Sequence, residues 1–216
     1  MIYSAARGFL FLHPPKTGGT SVSLAYEARA RADDLLVGDT PKAIRRRGRQ
    51  RGLSTSGRLW KHSQLADLDG LVDADAPLCR MVLVRNPWDR MVSLYHWLRV
   101  QRFAHPAAPL ARELTFSQFL NHPLVMRMLV TQPYARFATG ADGRERPAHY
   151  VRIERFAEDF RPVAAHLGFD LVLGRENRSE RCADYRGYYD AADAALVARL
   201  CAADVARSHY RFDNAG

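Results

Sequence analysis

The stretch Gly8–Val22, GFLFLHPPKTGGTSV, constrains this chain more than any other. Phe9 to Leu12 is a continuous apolar run, as expected of a strand buried on both faces of a sheet. His13-Pro14-Pro15 interrupts it, and Lys16, Thr17, the pair Gly18-Gly19, Thr20 and Ser21 follow before a helical Ala/Leu-rich segment, Ser21 to about Arg31. Strand, glycine turn and helix start, in that order, make an anion cradle. The first N–H groups of a helix have no intrahelical partner, and the helix dipole favours negative charge there. Glycines let backbone approach an oxyanion, Lys16 adds positive charge, and Thr17, Thr20 and Ser21 add hydroxyl donors.

The spacing is not that of a Walker A loop, in which the lysine follows the second of two glycines with four residues between them. Here Lys16 precedes the glycine pair. The pattern PKTGGTS resembles the 5′-phosphosulfate-binding loop of sulfotransferases that use 3′-phosphoadenosine 5′-phosphosulfate. On that resemblance Lys16, Thr17, Gly18, Gly19, Thr20 and Ser21 contact the donor, and Lys16 is also catalytic.

A second apolar run, Leu78–Val84, leads into Arg85-Asn86-Pro87-Trp88-Asp89-Arg90. Pro87 suits a first helical turn, and Met91, Leu94, Tyr95 and Leu98 share one helical face, which predicts a helix from about Pro87 to Arg102. Arg85 therefore sits at a strand end and Ser93 on the following helix, where open α/β sheets bind ligands. The stretch VLVRNPWDRMVSLYHW resembles the 3′-phosphate-binding motif of the same enzymes, with Arg85 and Ser93 at its ligand positions. Asn177-Arg178-Ser179, Tyr185, Tyr188, Tyr189 and Tyr210-Arg211-Phe212 resemble the tail of the family-2, carbohydrate-type branch, which makes Arg178 a further nucleotide contact. The resemblance leaves unmatched the arginine-rich segment and the region from about His105 to Arg146.

Further along, Tyr150–Ile153 is a third strand candidate, Phe156–Leu167 its helix, and Ala191–Ala206 a last helix. Alternating strands and helices predict an α/β, three-layer fold with a central parallel β-sheet flanked by helices and a P-loop-like phosphosulfate-binding loop. Without repeat or linker, residues 1–216 read as a single domain of ordinary size.

Charge narrows the partners. The formal net charge of +9 favours anions. Arginines crowd residues 45–51 among glycines, which reads as a basic flexible loop, either solvated or a funnel for an anionic acceptor or cofactor. Only Lys16, Lys42 and Lys61 are lysines. A lysine inside the glycine loop of such an arginine-biased chain points to a wanted point charge. Cys79, Cys182 and Cys201 are odd in number and lack paired spacing, which fits a reducing compartment. With no signal-peptide pattern and no run of membrane-spanning length, a soluble cytoplasmic protein is expected.

The resemblance implies in-line transfer of a sulfuryl group from 3′-phosphoadenosine 5′-phosphosulfate to an acceptor hydroxyl of a carbohydrate, lipid or small metabolite, leaving adenosine 3′,5′-bisphosphate. The acceptor must lose a proton, and His62 in LWKHSQL is the general base expected, with His13 and Glu27 next. No metal is required on this reading, since the second strand ends in Arg85 and no His/Asp/Glu cluster has ligand spacing. Nucleic acid is not an expected partner, because the basic cluster lacks interleaved aromatics. The alternatives are a nucleotide-dependent phosphotransferase and a non-enzymatic basic module. The sequence identifies neither the acceptor nor the oligomeric state.

Overall fold

The first strand is one that hydrophobic periodicity does not announce. Ile2–Ser4 (β1) is followed by a 3₁₀ turn at Ala5–Arg7 and by Gly8, whose φ of 55° reverses the chain into Phe9–Leu12 (β2). That left-handed conformation costs a glycine little. The reversal makes β1 antiparallel to β2, with Ile2 opposite Phe11.

The computed structural model of the chain describes residues 1–174, 182 and 184–213. After β2 come Gly19–Glu27 (α1), Leu35–Leu36 (β3), Pro41–Arg45 (α2) and Cys79–Val84 (β4). Four helices follow, Pro87–Arg99 (α3), Ala107–Glu113 (α4), Phe116–Leu120 (α5) and Pro123–Thr131 (α6). His149–Arg152 (β5), Phe156–Asp159 (α7), Arg161–Leu167 (α8), Ala191–Leu200 (α9) and Ala202–Ser208 (α10) complete the order. The chain divides into two compact units, Met1–Val84 with Tyr134–Glu176 and Arg85–Pro133 with Asn177–Gly216.

The first unit is an α/β structure whose sheet has the order β3-β1-β2-β4-β5. Strands β2, β4 and β5 are parallel, whereas β1 is antiparallel to both of its neighbours. The expected parallel sheet is thus corrected to a mixed one. The cause is local: β1 and β2 are joined by too few residues for a parallel crossover, which needs a dozen or more. All four residues of β2 are buried. Phe9 and Phe11 pack with Met81, Leu83 and Val151 against Val22 and Tyr26 of α1 and Val163 and Leu167 of α8. Leu10, Leu12, Val82 and Val84 are buried on the opposite face, where the 3₁₀ segment Tyr134–Ala138 touches β4. Each such side chain contributes about 1.5–3 kcal/mol relative to exposure, which fixes β2 and β4 at the centre of the sheet.

The arginine-rich stretch read as a flexible loop carries α2 and a 3₁₀ helix, Arg47–Gln50. Glu27, at the end of α1, organises it. Its carboxylate accepts from the Thr40 hydroxyl at 2.5 Å and from the N–H groups of Lys42 and Ala43 at 3.2 and 2.9 Å. Those are orphan donors of the first turn of α2, so Glu27 is a capping group placed where the helix dipole favours a carboxylate.

The second unit is helical. Asn86 caps α3 by accepting from the N–H groups of Trp88 and Asp89, and Pro87 occupies the first position, where a missing N–H costs nothing. The helix ends at Arg99, before the expected Arg102. Its Trp88, Met91, Val92, Tyr95 and Leu98 pack with Ala107 and Ala111 of α4, Phe119 of α5 and Leu196 and Val197 of α9.

Candidate functional site

The glycine turn is built by the carboxyl end of β2 and the start of α1. The cap of α1 is Gly18, left-handed at φ 91°, with no side-chain hydrogen bond, and the first turn of the helix contains no acid. An uncapped and uncountered helix N-terminus has the donors and dipole that an anion requires. Lys16 lies two residues before that cap with φ 68°. A non-glycine in this region costs on the order of 1–3 kcal/mol, and such strain clusters at functional sites. Among the described residues only His209 shares it.

The glycines themselves serve the protein's own packing. A Cβ on Gly19 would lie 2.1 Å from Nδ1 of His13, and one on Gly18 would lie 3.1 Å from Cδ1 of Ile153. Thr17 is buried and its hydroxyl donates to the Pro14 carbonyl at 2.8 Å, so it closes the turn. Thr20 is exposed, and Ser21 and Lys16 are half-buried. The loop would therefore offer an anion its backbone N–H groups, the Lys16 ammonium and the hydroxyls of Thr20 and Ser21.

His62 is held to this loop through His13. Its Nδ1 lies 3.0 Å from the His13 carbonyl oxygen. A carbonyl only accepts, so Nδ1 carries the proton, and in the neutral ring Nε2 is the basic nitrogen. The His13 ring meets the His62 ring edge-on at 4.7 Å and stacks on Phe11 at 5.2 Å. His62 also meets Trp60 edge-on at 5.0 Å, and Arg58 lies over the Trp60 ring at 4.9 Å. Ser63, fully buried, accepts from the Trp60 N–H at 2.8 Å and reaches the Arg58 carbonyl at 2.8 Å, which closes the turn that presents His62.

The other two base candidates are placed differently. Glu27 spends its carboxylate on Thr40 and α2. His13 is 5 % exposed, and burial holds its pKa well below the ordinary 6.5. His13 is instead the residue whose carbonyl orients His62, a role with no local sequence signal.

In the second unit, Arg85 follows Val84, the last residue of β4. Its Nε and Nη2 donate to Asp89 Oδ2 at 2.8 and 2.6 Å, one helical turn on. An incoming phosphate would compete with this carboxylate for the guanidinium. Ser93 is buried on α3, at 4 % exposure. Arg178 lies outside the described residues.

No family model, curated protein or solved structure matches the chain. No helix among the described residues is long and apolar enough to cross a membrane.

Proposed function

We propose that the chain is a sulfotransferase that moves the sulfuryl group of 3′-phosphoadenosine 5′-phosphosulfate to an acceptor hydroxyl. The observation that carries this reading is the turn at Lys16. A strained lysine precedes an uncapped helix N-terminus, and a histidine of fixed tautomer is anchored to the same turn through the His13 carbonyl.

On this reading the N–H groups at the start of α1 hold the 5′-phosphosulfate end. Lys16 stabilises the charge that builds on the bridging oxygen as the sulfur–oxygen bond breaks. Such electrostatic stabilisation is commonly the largest contribution to catalysis, about 10²–10³ per donor. His62 Nε2 takes the acceptor proton as the new sulfur–oxygen bond forms, and the His13 carbonyl stabilises the resulting imidazolium through Nδ1–H. The sequence motif assigns Arg85 and Ser93 to the 3′-phosphate. The lysine contributes a compact point charge, which a planar guanidinium fork does not reproduce.

The test is incubation with the donor labelled in its sulfuryl group and a panel of hydroxyl acceptors, with and without magnesium. Label transfer with release of adenosine 3′,5′-bisphosphate, unaffected by chelation, is expected. Magnesium-dependent transfer of a phosphoryl group from ATP would overturn the reading in favour of a phosphotransferase.

A further inference from the structure

The positive charge of this chain is almost entirely local. Residues 41–66 contain eight Lys and Arg and no Asp or Glu, out of 32 basic residues in all. The remaining 24 face 23 acidic residues, so the rest of the chain is nearly neutral. A net charge of +9 spread evenly would describe a mildly basic protein; here it describes a patch.

The patch is ordered and has an inside and an outside. Arg46 donates to the Arg31 carbonyl at 2.7 Å, Arg49 donates to the Ala32 carbonyl, and Gln50 reaches the Leu36 carbonyl at 3.3 Å. Together with the Glu27 cap, these bonds fasten α2 and the 3₁₀ helix to α1, the turn that follows it and β3. Arg45, Arg47 and Arg51 are left exposed, and Arg47, Gly48, Gln50 and Arg51 line an open depression of about 370 Å³. The nearby carboxylates are largely committed: Glu27 caps α2, Asp34 pairs with Arg7, and Asp39 pairs with Lys61, which together with Arg47 lowers its pKa.

Two apolar side chains interrupt the arginines. Ile44 is 50 % exposed and Leu53 36 % exposed. Neither has a use against a polyanion in water, and no aromatic ring lies between residues 41 and 59 to stack on a base or a sugar. Arginines around exposed aliphatics are the composition of a surface that rests on an anionic bilayer, where cations meet headgroups and aliphatics enter the acyl boundary.

The geometry points to the α2–Leu53 segment as a docking surface for an anionic lipid membrane, with Arg45, Arg47 and Arg51 on the headgroups and Ile44 and Leu53 inserted. This inference stands apart from the sulfuryl-transfer reading, since it uses neither Lys16 nor His62. Bound this way the protein would be peripheral and salt-sensitive, because the attraction falls off within a Debye length.

Sedimentation with phosphatidylcholine vesicles, with and without phosphatidylserine, tests it on the full chain. Binding is expected only with phosphatidylserine, and weakening by raised salt. Arg45→Gln with Arg47→Gln and Arg51→Gln should weaken it about fivefold per arginine, on the order of a hundredfold together. Ile44→Ser with Leu53→Ser should weaken it about tenfold or more at unchanged charge. A circular-dichroism melt checks that each variant folds, and the single Arg47→Glu replaces the triple variant if that one does not. Equal binding to neutral vesicles, or no binding to either, overturns the inference. So does vesicle binding that is indifferent to Ile44→Ser with Leu53→Ser, or competed equally by soluble glycerophosphoserine or an RNA duplex, since these mark a plain anion site.

Discussion

Substituting Gly19 by alanine should expose what the glycine pair is for. In an anion cradle a glycine is wanted so that backbone can approach the ligand; in this structure Gly19 is occupied by the His13 ring. An added Cβ would lie 2.1, 2.3 and 2.4 Å from Nδ1, Cε1 and Cγ of that ring, far inside contact distance. The ring has little room to move, being stacked on Phe11 and set against His62. Intrinsic helix propensity favours Gly→Ala by up to about 1 kcal/mol, while overpacking costs about 1–3 kcal/mol. Gly19→Ala should therefore destabilise by roughly 1–2 kcal/mol. In a His13→Ala background the clash disappears, and the same substitution should become neutral or stabilising by up to about 1 kcal/mol. Urea unfolding of the four proteins measures the coupling, expected at about 1–3 kcal/mol. The same sign and size in both backgrounds would refute the steric argument.

Other expectations are briefer. Lys16→Ala should cut kcat at least about a hundredfold with bisphosphate affinity nearly kept, whereas a change in KM alone would contradict a transition-state role. His62→Ala should lose about 10²–10⁴ in kcat and the acidic limb of the pH–rate profile at unchanged nucleotide affinity. Arg85→Gln should weaken adenosine 3′,5′-bisphosphate by about 2–4 kcal/mol while sparing AMP, measured by calorimetry; equal losses would make its pairing with Asp89 purely structural. His13, held neutral by burial with its pKa well below 6.5, contributes stability that is present above that pH. As pH falls below 6.5 the unfolded chain takes up a proton that the native protein refuses. Stability should then drop by up to about 1.4 kcal/mol per pH unit, and His13→Gln should remove that slope in unfolding curves at different pH.

What the sequence made legible follows from how local the signal is. Strands β2 and β4 announce themselves as unbroken apolar runs, and α3 by Pro87 and its apolar face. Strand β1 has three residues and β3 two, too short for any period. Their pairing depends on the reversal at Gly8, visible only once φ is known. The arginine-rich stretch looked like a loop because its glycines and charges carry no apolar face. It is ordered by Glu27, outside the window in which a local pattern operates, through hydrogen bonds to Thr40, Lys42 and Ala43. At the proposed site, the loop, Lys16 and His62 are candidates by residue type and order. That His13 would supply the carbonyl that fixes the His62 tautomer could not be read there, because a main-chain acceptor has no letter in the sequence. Thr17 shows the converse: its type fits a phosphate ligand, but its hydroxyl is committed to Pro14.

The central claim is that this chain binds a donor recognised by both its 5′ and 3′ groups. Isothermal calorimetry of the unmodified protein with adenosine 3′,5′-bisphosphate, AMP and ATP tests it most directly. The account predicts that adenosine 3′,5′-bisphosphate binds at least about thirtyfold more tightly than AMP, the discrimination expected of a charged hydrogen-bonded phosphate contact, without added metal. Equal affinity for the bisphosphate and AMP, or a preference for ATP that requires magnesium, would contradict it.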